Sequence, residues 1–175
     1  PIPGKSVRYD KKDFMEVSGG QWLAGDIFAY QVLIEDLKER TGRSSDMFLL
    51  HMDKDVNERV WSSGGNFIKG RSGDRIAGSL NIISTLQYDQ ERVLVSVYPW
   101  KRRDGGVRPV VYTMQLATGN FRKVTVGPGR GAQIRSNRTG TMLLARVPKP
   151  GLAVEHFYYD RSKDEPEWQK ISLNF

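Results

Sequence analysis

The side chains that could do chemistry in this chain are few and scattered. It has two histidines and no cysteine, which excludes thiolate catalysis, disulfides and thiolate metal sites. His51 alternates with apolar neighbours in Met47-Phe48-Leu49-Leu50-His51-Met52, and His156 opens the run Phe157-Tyr158-Tyr159. Both fit structural or surface positions, and two isolated histidines do not make a metal site. A serine nucleophile of the elbow type needs G-x-S-x-G on a sharp strand-to-helix turn. Gly42-Arg43-Ser44-Ser45 and Gly70-Arg71-Ser72-Gly73 come near that pattern, but neither has the second glycine in place. Gly127-Pro128-Gly129-Arg130-Gly131 has the glycine content of a phosphate loop. It lacks the Gly-Lys-Ser/Thr ending that opens a helix, so it reads as a turn between units. Asn137-Arg138-Thr139 has the form of a glycosylation triplet and also reads as a turn. The sequence therefore offers no catalytic residue, no cofactor-binding residue and no metal ligand.

One segment has the composition of a contact surface. Tyr98-Pro99-Trp100-Lys101-Arg102-Arg103-Asp104 places an aromatic beside three cations. Trp and Arg are the types most often found at energetic centres of interfaces. Trp100, Lys101, Arg102 and Arg103 are accordingly the candidate contacts for a partner or for the anionic terminus of a peptide. The competing reading is an ordinary charged hairpin tip.

The surrounding composition limits the partners. The 175 residues carry 27 Lys and Arg against 20 Asp and Glu, a formal net charge of +7. Such a surface attracts polyanions. However, the charges are interleaved, and a recognition helix, a zinc-finger spacing and an aromatic RNA-stacking motif are all missing. Specific nucleic-acid binding is not expected. No apolar run approaches the roughly 20 residues needed to span a bilayer, so no membrane span is expected. The chain opens Pro-Ile-Pro-Gly, without an initiator Met or a signal-peptide pattern, and reads as a segment of something longer. It assigns no compartment.

Strand signals dominate the elements that must position these residues. Ile27 to Ile34, Met47 to Met52 and Arg59-Val60-Trp61 are β-rich, whereas Leu33 to Arg40 has too few apolar positions for a packed helix and reads as a polar excursion. A loop rich in Gly, Ser and charge follows from Ser62 to Gly78. Then come strands at Leu80 to Leu86, Arg92 to Trp100, Pro109 to Leu116 and Phe121 to Val126. Their turns, Asp104-Gly105-Gly106 and Thr118-Gly119-Asn120, are hairpin chemistry. The pattern returns at Ala132 to Arg135, Thr141 to Val147, Ala153 to Tyr159 and Trp168 to Leu173.

These stretches superpose. Phe48-Leu49-Leu50-His51 matches Tyr112-Thr113-Met114-Gln115 and Phe157-Tyr158-Tyr159-Asp160, and the later two repeats lie about 45 to 49 residues apart. Four strands at such a period are the signature of propeller blades. Strands two and three of each unit are apolar on both faces, so a lone sheet would leave one face wet and neighbouring sheets must stack on it. The fold expected is all-β: about three four-stranded antiparallel blades of an incomplete β-propeller, at 14–61, 79–126 and 132–175, with 62–78 as an inter-blade loop. An antiparallel β-sandwich is the alternative.

The second unit carries a resemblance. Ile82-Ile83-Ser84-Thr85-Leu86, Arg92-Val93-Leu94-Val95-Ser96-Val97-Tyr98 and Asp104-Gly105-Gly106-Val107-Arg108-Pro109-Val110-Val111-Tyr112 resemble a particular kind of blade. It is one from the N-terminal propeller of bacterial prolyl oligopeptidase-family serine peptidases, of the dipeptidyl aminopeptidase or acylaminoacyl peptidase type. The resemblance is good over Ala77 to Val126, fair through Phe175 and weak before Met47. It rests on blade grammar and not on a catalytic motif. It implies a non-catalytic propeller segment that helps gate peptide access to an α/β-hydrolase domain absent from this chain. The implied partners are that domain, the remaining blades and the peptide substrate, with no cofactor. Propellers close with about four to eight blades, so self-association through open faces is a further expectation. The alternative function is a stand-alone propeller-like binding module for a protein or an anionic polymer.

Overall fold

The computed structural model describes residues 13–36, 43–62, 66–67, 75–99 and 107–172. They form three consecutive four-stranded antiparallel meanders and no α-helix. The first sheet runs β1 (Asp13–Trp22), β2 (Ile27–Asp36), β3 (Arg43–His51), β4 (Val56–Ser62). A two-residue ribbon follows, β5 (Asn66–Phe67) with β6 (Arg75–Ile76). The second sheet is β7 (Gly78–Ser84), β8 (Arg92–Pro99), β9 (Val110–Gln115), β10 (Phe121–Val126). The third is β11 (Gln133–Ser136), β12 (Met142–Pro148), β13 (Val154–Asp160), β14 (Trp168–Lys170), with a 3-10 turn at Pro150–Leu152. In each sheet the strands pair in chain order, as propeller blades do.

Sheet stacking follows from the middle unit. Val93, Leu94, Val95, Ser96 and Val97 of β8 are all buried, with no exposed position between them. Val93, Val95 and Val97 pack toward the first sheet, where they meet Met47, Leu49 and Trp61. Leu94, with Val111 of β9, packs the other way against Ile134, Leu143, Ala145 and Tyr159 of the third sheet. Each fully buried aliphatic is worth about 1.5–3 kcal/mol relative to exposure. This strand alone therefore holds both neighbours.

Polar contacts cross the apolar seams. The Trp61 indole N–H donates to the Gly78 carbonyl at 3.0 Å, and the Gln31 amide donates to the Leu80 carbonyl at 2.9 Å. On the other side, the Trp168 indole N–H donates to the Val126 carbonyl at 2.8 Å. Trp61 also meets Phe121 edge-on, at 5.7 Å between ring centres. Each indole thus spends its only donor on the backbone of the middle sheet.

Several details depart from the sequence reading. β2 continues through Asp36, although Leu33 to Arg40 was expected as a polar excursion, because β3 pairs with it as far as Glu35–Arg43. Residues 37–42 lie outside the described residues. Asp13–Trp22 is a full strand despite Ser18-Gly19-Gly20, which a register shift between Val17 and Gly20 accommodates. The Ser62 to Gly78 connection contains the β5–β6 ribbon, and its two ends belong to β4 and β7. The Gly127 to Gly131 segment, by contrast, is the turn between units that was expected, joining β10 to β11 and anchored by Gly127 N–H on the Pro109 carbonyl (2.7 Å) and Gly131 N–H on the Val107 carbonyl (3.1 Å).

Two stability outcomes follow from this packing. Trp61→Ala is expected to cost about 3–5 kcal/mol, since it removes a large core side chain and leaves the Gly78 carbonyl without its donor. Ser96 Oγ, by contrast, is buried with no hydrogen-bond partner, so Ser96→Ala is expected to be neutral or to stabilise by up to about 1 kcal/mol. Urea unfolding measures both. A Trp61→Ala variant within about 0.5 kcal/mol of the parent, the range of ordinary surface changes, would contradict the seam as described.

Candidate functional site

Trp100, Lys101, Arg102 and Arg103, the contact residues expected from the sequence, lie outside the described residues. β8 reaches Pro99, and the next strand begins at Val110. The two histidines lie on different sheets, His51 buried at the end of β3 and His156 half-buried in β13 opposite Arg146. Among the described residues, no three His, Asp or Glu side chains come together as a metal site.

A wide concavity lies at the other end of β8, between the second and third sheets. It is about 750 Å³ and open to solvent, and three turns shape it. Leu86 to Glu91 joins β7 to β8, Asn137 to Thr141 joins β11 to β12, and Arg161 begins the β13–β14 connection. The first turn is fixed by Asp89. One carboxylate oxygen accepts the N–H groups of Glu91 and Arg92, both at 3.1 Å, and the other accepts Arg92 Nε at 2.6 Å. This is the local carboxylate-to-backbone bonding that favours Asp in turns.

The second turn is built around Asn137. Its side-chain oxygen accepts Met142 N–H at 3.1 Å, its amide donates to Thr141 Oγ1 at 3.0 Å, and its carbonyl accepts Gly140 N–H at 3.1 Å. Gly140 has φ +74°, and the Leu86 and Leu94 methyl groups occupy the space a Cβ would need. The turn demands glycine for both reasons. The Gly140 carbonyl accepts Arg161 Nη1 at 2.6 Å, which draws that half-buried guanidinium into the cleft wall. Burial holds the Arg161 pKa below the usual arginine value, Tyr159 opposes that shift, and nearby Arg92 adds to it.

Smaller concavities separate the first and second sheets. One, of about 330 Å³, is lined by His51, Lys54, Glu58 and Gln90 at the same end as the larger cleft. Another, of about 200 Å³, lies between Gly19-Gly20 and Asn81. On the third sheet, Glu155 bridges Lys149 at 2.9 Å and Lys170 at 2.7 Å. None of these places holds a nucleophile with a base beside it.

The juxtaposition of Arg92 and Arg161 was not singled out from the sequence. In the chain Arg92 starts a strand and Arg161 starts a polar turn 69 positions later. Only the stacking of two sheets makes them neighbours. The available signal was local: Asp89 three residues before Arg92 marks a turn that orients the arginine.

No protein-family model matches the chain, and no curated protein matches it. Among solved structures it is similar to TolB from Acinetobacter baumannii, at 14% identity and a TM-score of 0.41, over 81% of this chain and 37% of that one. It is also similar to dipeptidyl peptidase 4 from Porphyromonas gingivalis, at 11% identity and a TM-score of 0.38, over 90% of this chain and 31% of that one. The chain spans about a third of the length of each. The blade description rests on the sheet order and packing given above.

The Glu155 bridge makes a pH prediction. Hydrogen bonds from Lys170 and then Lys149 hold the Glu155 carboxyl below the usual glutamate value. A carboxyl with a lower pKa folded than unfolded contributes stability above its unfolded pKa and loses it as pH falls through the folded one. Side-chain carboxyl NMR should therefore find Glu155 titrating below an unpaired glutamate, and Lys170→Gln should move it back up. A titration at the ordinary value in the parent would contradict the bridge.

Proposed function

We propose that this chain is the non-catalytic propeller segment of a prolyl oligopeptidase-type serine peptidase, where it helps control which peptides reach a separate hydrolase domain. The observation that carries the reading is the second sheet. Its run of strands from Ala77 to Val126 is the stretch that resembles blades of that family, and it is the unit on which both other sheets stack. Gating of this kind asks for a rigid ring with openings too small for folded chains, and stacked blades supply rigidity without any catalytic group. In this reading the remaining blades of the parent cover the outer faces of the first and third sheets, where Trp22 and Leu144 are exposed.

Two measurements test the proposal. The coding sequence downstream should specify a G-x-S-x-G elbow followed by Asp and His, the chain order of α/β-hydrolases. An unrelated continuation would overturn the peptidase reading and leave a binding module. The purified chain should also release no product from aminoacyl or acyl-peptide chromogenic substrates. Turnover that survives purification and is blocked by a serine-directed phosphonate would show a nucleophile of its own.

A further inference from the structure

We propose that the cleft between the second and third sheets binds a carboxylate group, held between Arg161 and Arg92. The inference is independent of whether a hydrolase domain accompanies the chain. It begins with an imbalance of donors and acceptors. A guanidinium offers five N–H donors. Arg161 commits Nη1 to the Gly140 carbonyl, and no carboxylate pairs with it among the described residues. Arg92 commits Nε to Asp89 and keeps its two terminal nitrogens.

The acid beside them is already spent. Asp89 accepts the N–H groups of Glu91 and Arg92 on one oxygen and Arg92 Nε on the other. The wall hydroxyls are largely satisfied by one another: Thr139 Oγ1 lies 2.9 Å from Thr141 Oγ1, which also accepts from Asn137. What remains unspent at the cleft is a set of cationic N–H donors from two sheets, with Glu91 as the other acid in the lining. Two cations facing one partly buried space repel, and the depressed pKa of Arg161 reflects burial together with that repulsion. An anion between them removes the conflict.

The character of the anion follows from charge and shape. Asp89 and Glu91 line the cleft together with Arg92 and Arg161, so its formal charge balances. A monoanion suits that balance better than a dianionic phosphate, and a planar carboxylate matches the guanidinium fork. The volume of about 750 Å³ leaves room for the body of the ligand beside Leu86, with Tyr88 at the rim, 82% exposed. A carboxylate can arrive as a chain terminus or as an acidic side chain, and the two share this chemistry.

The test uses four probes on the full chain, followed by NMR of the Arg161 Nε–H and Ser162 amide signals. The probes are acetyl-trialanine with a free carboxylate, its C-terminal amide, the amidated peptide with a central glutamate, and inorganic phosphate. Saturable shifts are expected with the free acid, the glutamate peptide or both, and this pattern tells terminus from side chain. The neutral amide should give none, and phosphate should bind more weakly. Arg92→Gln, at an exposed arginine, should weaken carboxylate binding about tenfold, as for loss of one charge-assisted hydrogen bond. Arg161→Lys keeps the charge but loses the fork, and it should also weaken binding. Equal binding of the neutral amide, tighter binding of phosphate, no saturation by either carboxylate at millimolar concentration, or an unchanged affinity in Arg92→Gln would each overturn the assignment.

Discussion

Everything in this structure depends on β8 being buried on both faces. A strand in a two-layer sheet alternates apolar and polar residues because one side is wet. Val93-Leu94-Val95-Ser96-Val97 does not alternate, and all five residues are buried. That burial requires a sheet on either side, and the molecule supplies them from the stretches of chain before and after. The valines face Trp61, Met47 and Leu49, and Leu94 faces Leu143 and Tyr159. The third sheet needs only one dry face, which is why β12 alternates strictly, with Leu143, Ala145 and Val147 buried between more exposed neighbours, whereas β3 of the first sheet buries the adjacent residues Met47, Phe48 and Leu49.

Apolar faces alone would let sheets slide, and the polar contacts oppose that. Trp61 and Trp168 sit on different outer sheets, and each donates its indole N–H to a backbone carbonyl of the middle one. Their partners lie at opposite edges of that sheet, Gly78 opening β7 and Val126 closing β10. A buried donor left unpaired costs about 1–3 kcal/mol, so displacement of either sheet is penalised through a single atom. The turns add direct bridges between the second and third sheets, with Gln87 N–H donating to the Arg138 carbonyl at 2.9 Å.

The β character, the strand grouping and the strongest core strand were legible in the sequence because each is a local property. Thr118-Gly119-Asn120 and the β8 valines announce themselves without knowledge of distant residues. The extension of β2 to Asp36 was hidden because its last residues are polar and are held by pairing with β3, not by their own preference. The strand at Asp13–Trp22 was obscured by two adjacent glycines that a bulge absorbs. The cleft was illegible for a different reason. Arg92 and Arg161 each look like a solvated hairpin charge, and their meeting is a property of two sheets together. The aromatic-basic segment at Trp100 to Arg103 was conspicuous in composition, yet it falls outside the described residues.

The two faces of the middle sheet also differ from each other. One presents a row of valines beside Met114, Leu116 and Phe121, while the other presents Leu94, Val111 and Leu86 around the Gly140 turn. The first accepts a tryptophan from a fourth strand, and the second accepts a tyrosine from a third strand. These units share a strand plan, but their contact surfaces are keyed to particular neighbours. Such a module can change its loops freely, yet it cannot reorder or duplicate its units without recutting both keys at once. Its repeats share a strand plan, yet each is a part with a fixed address.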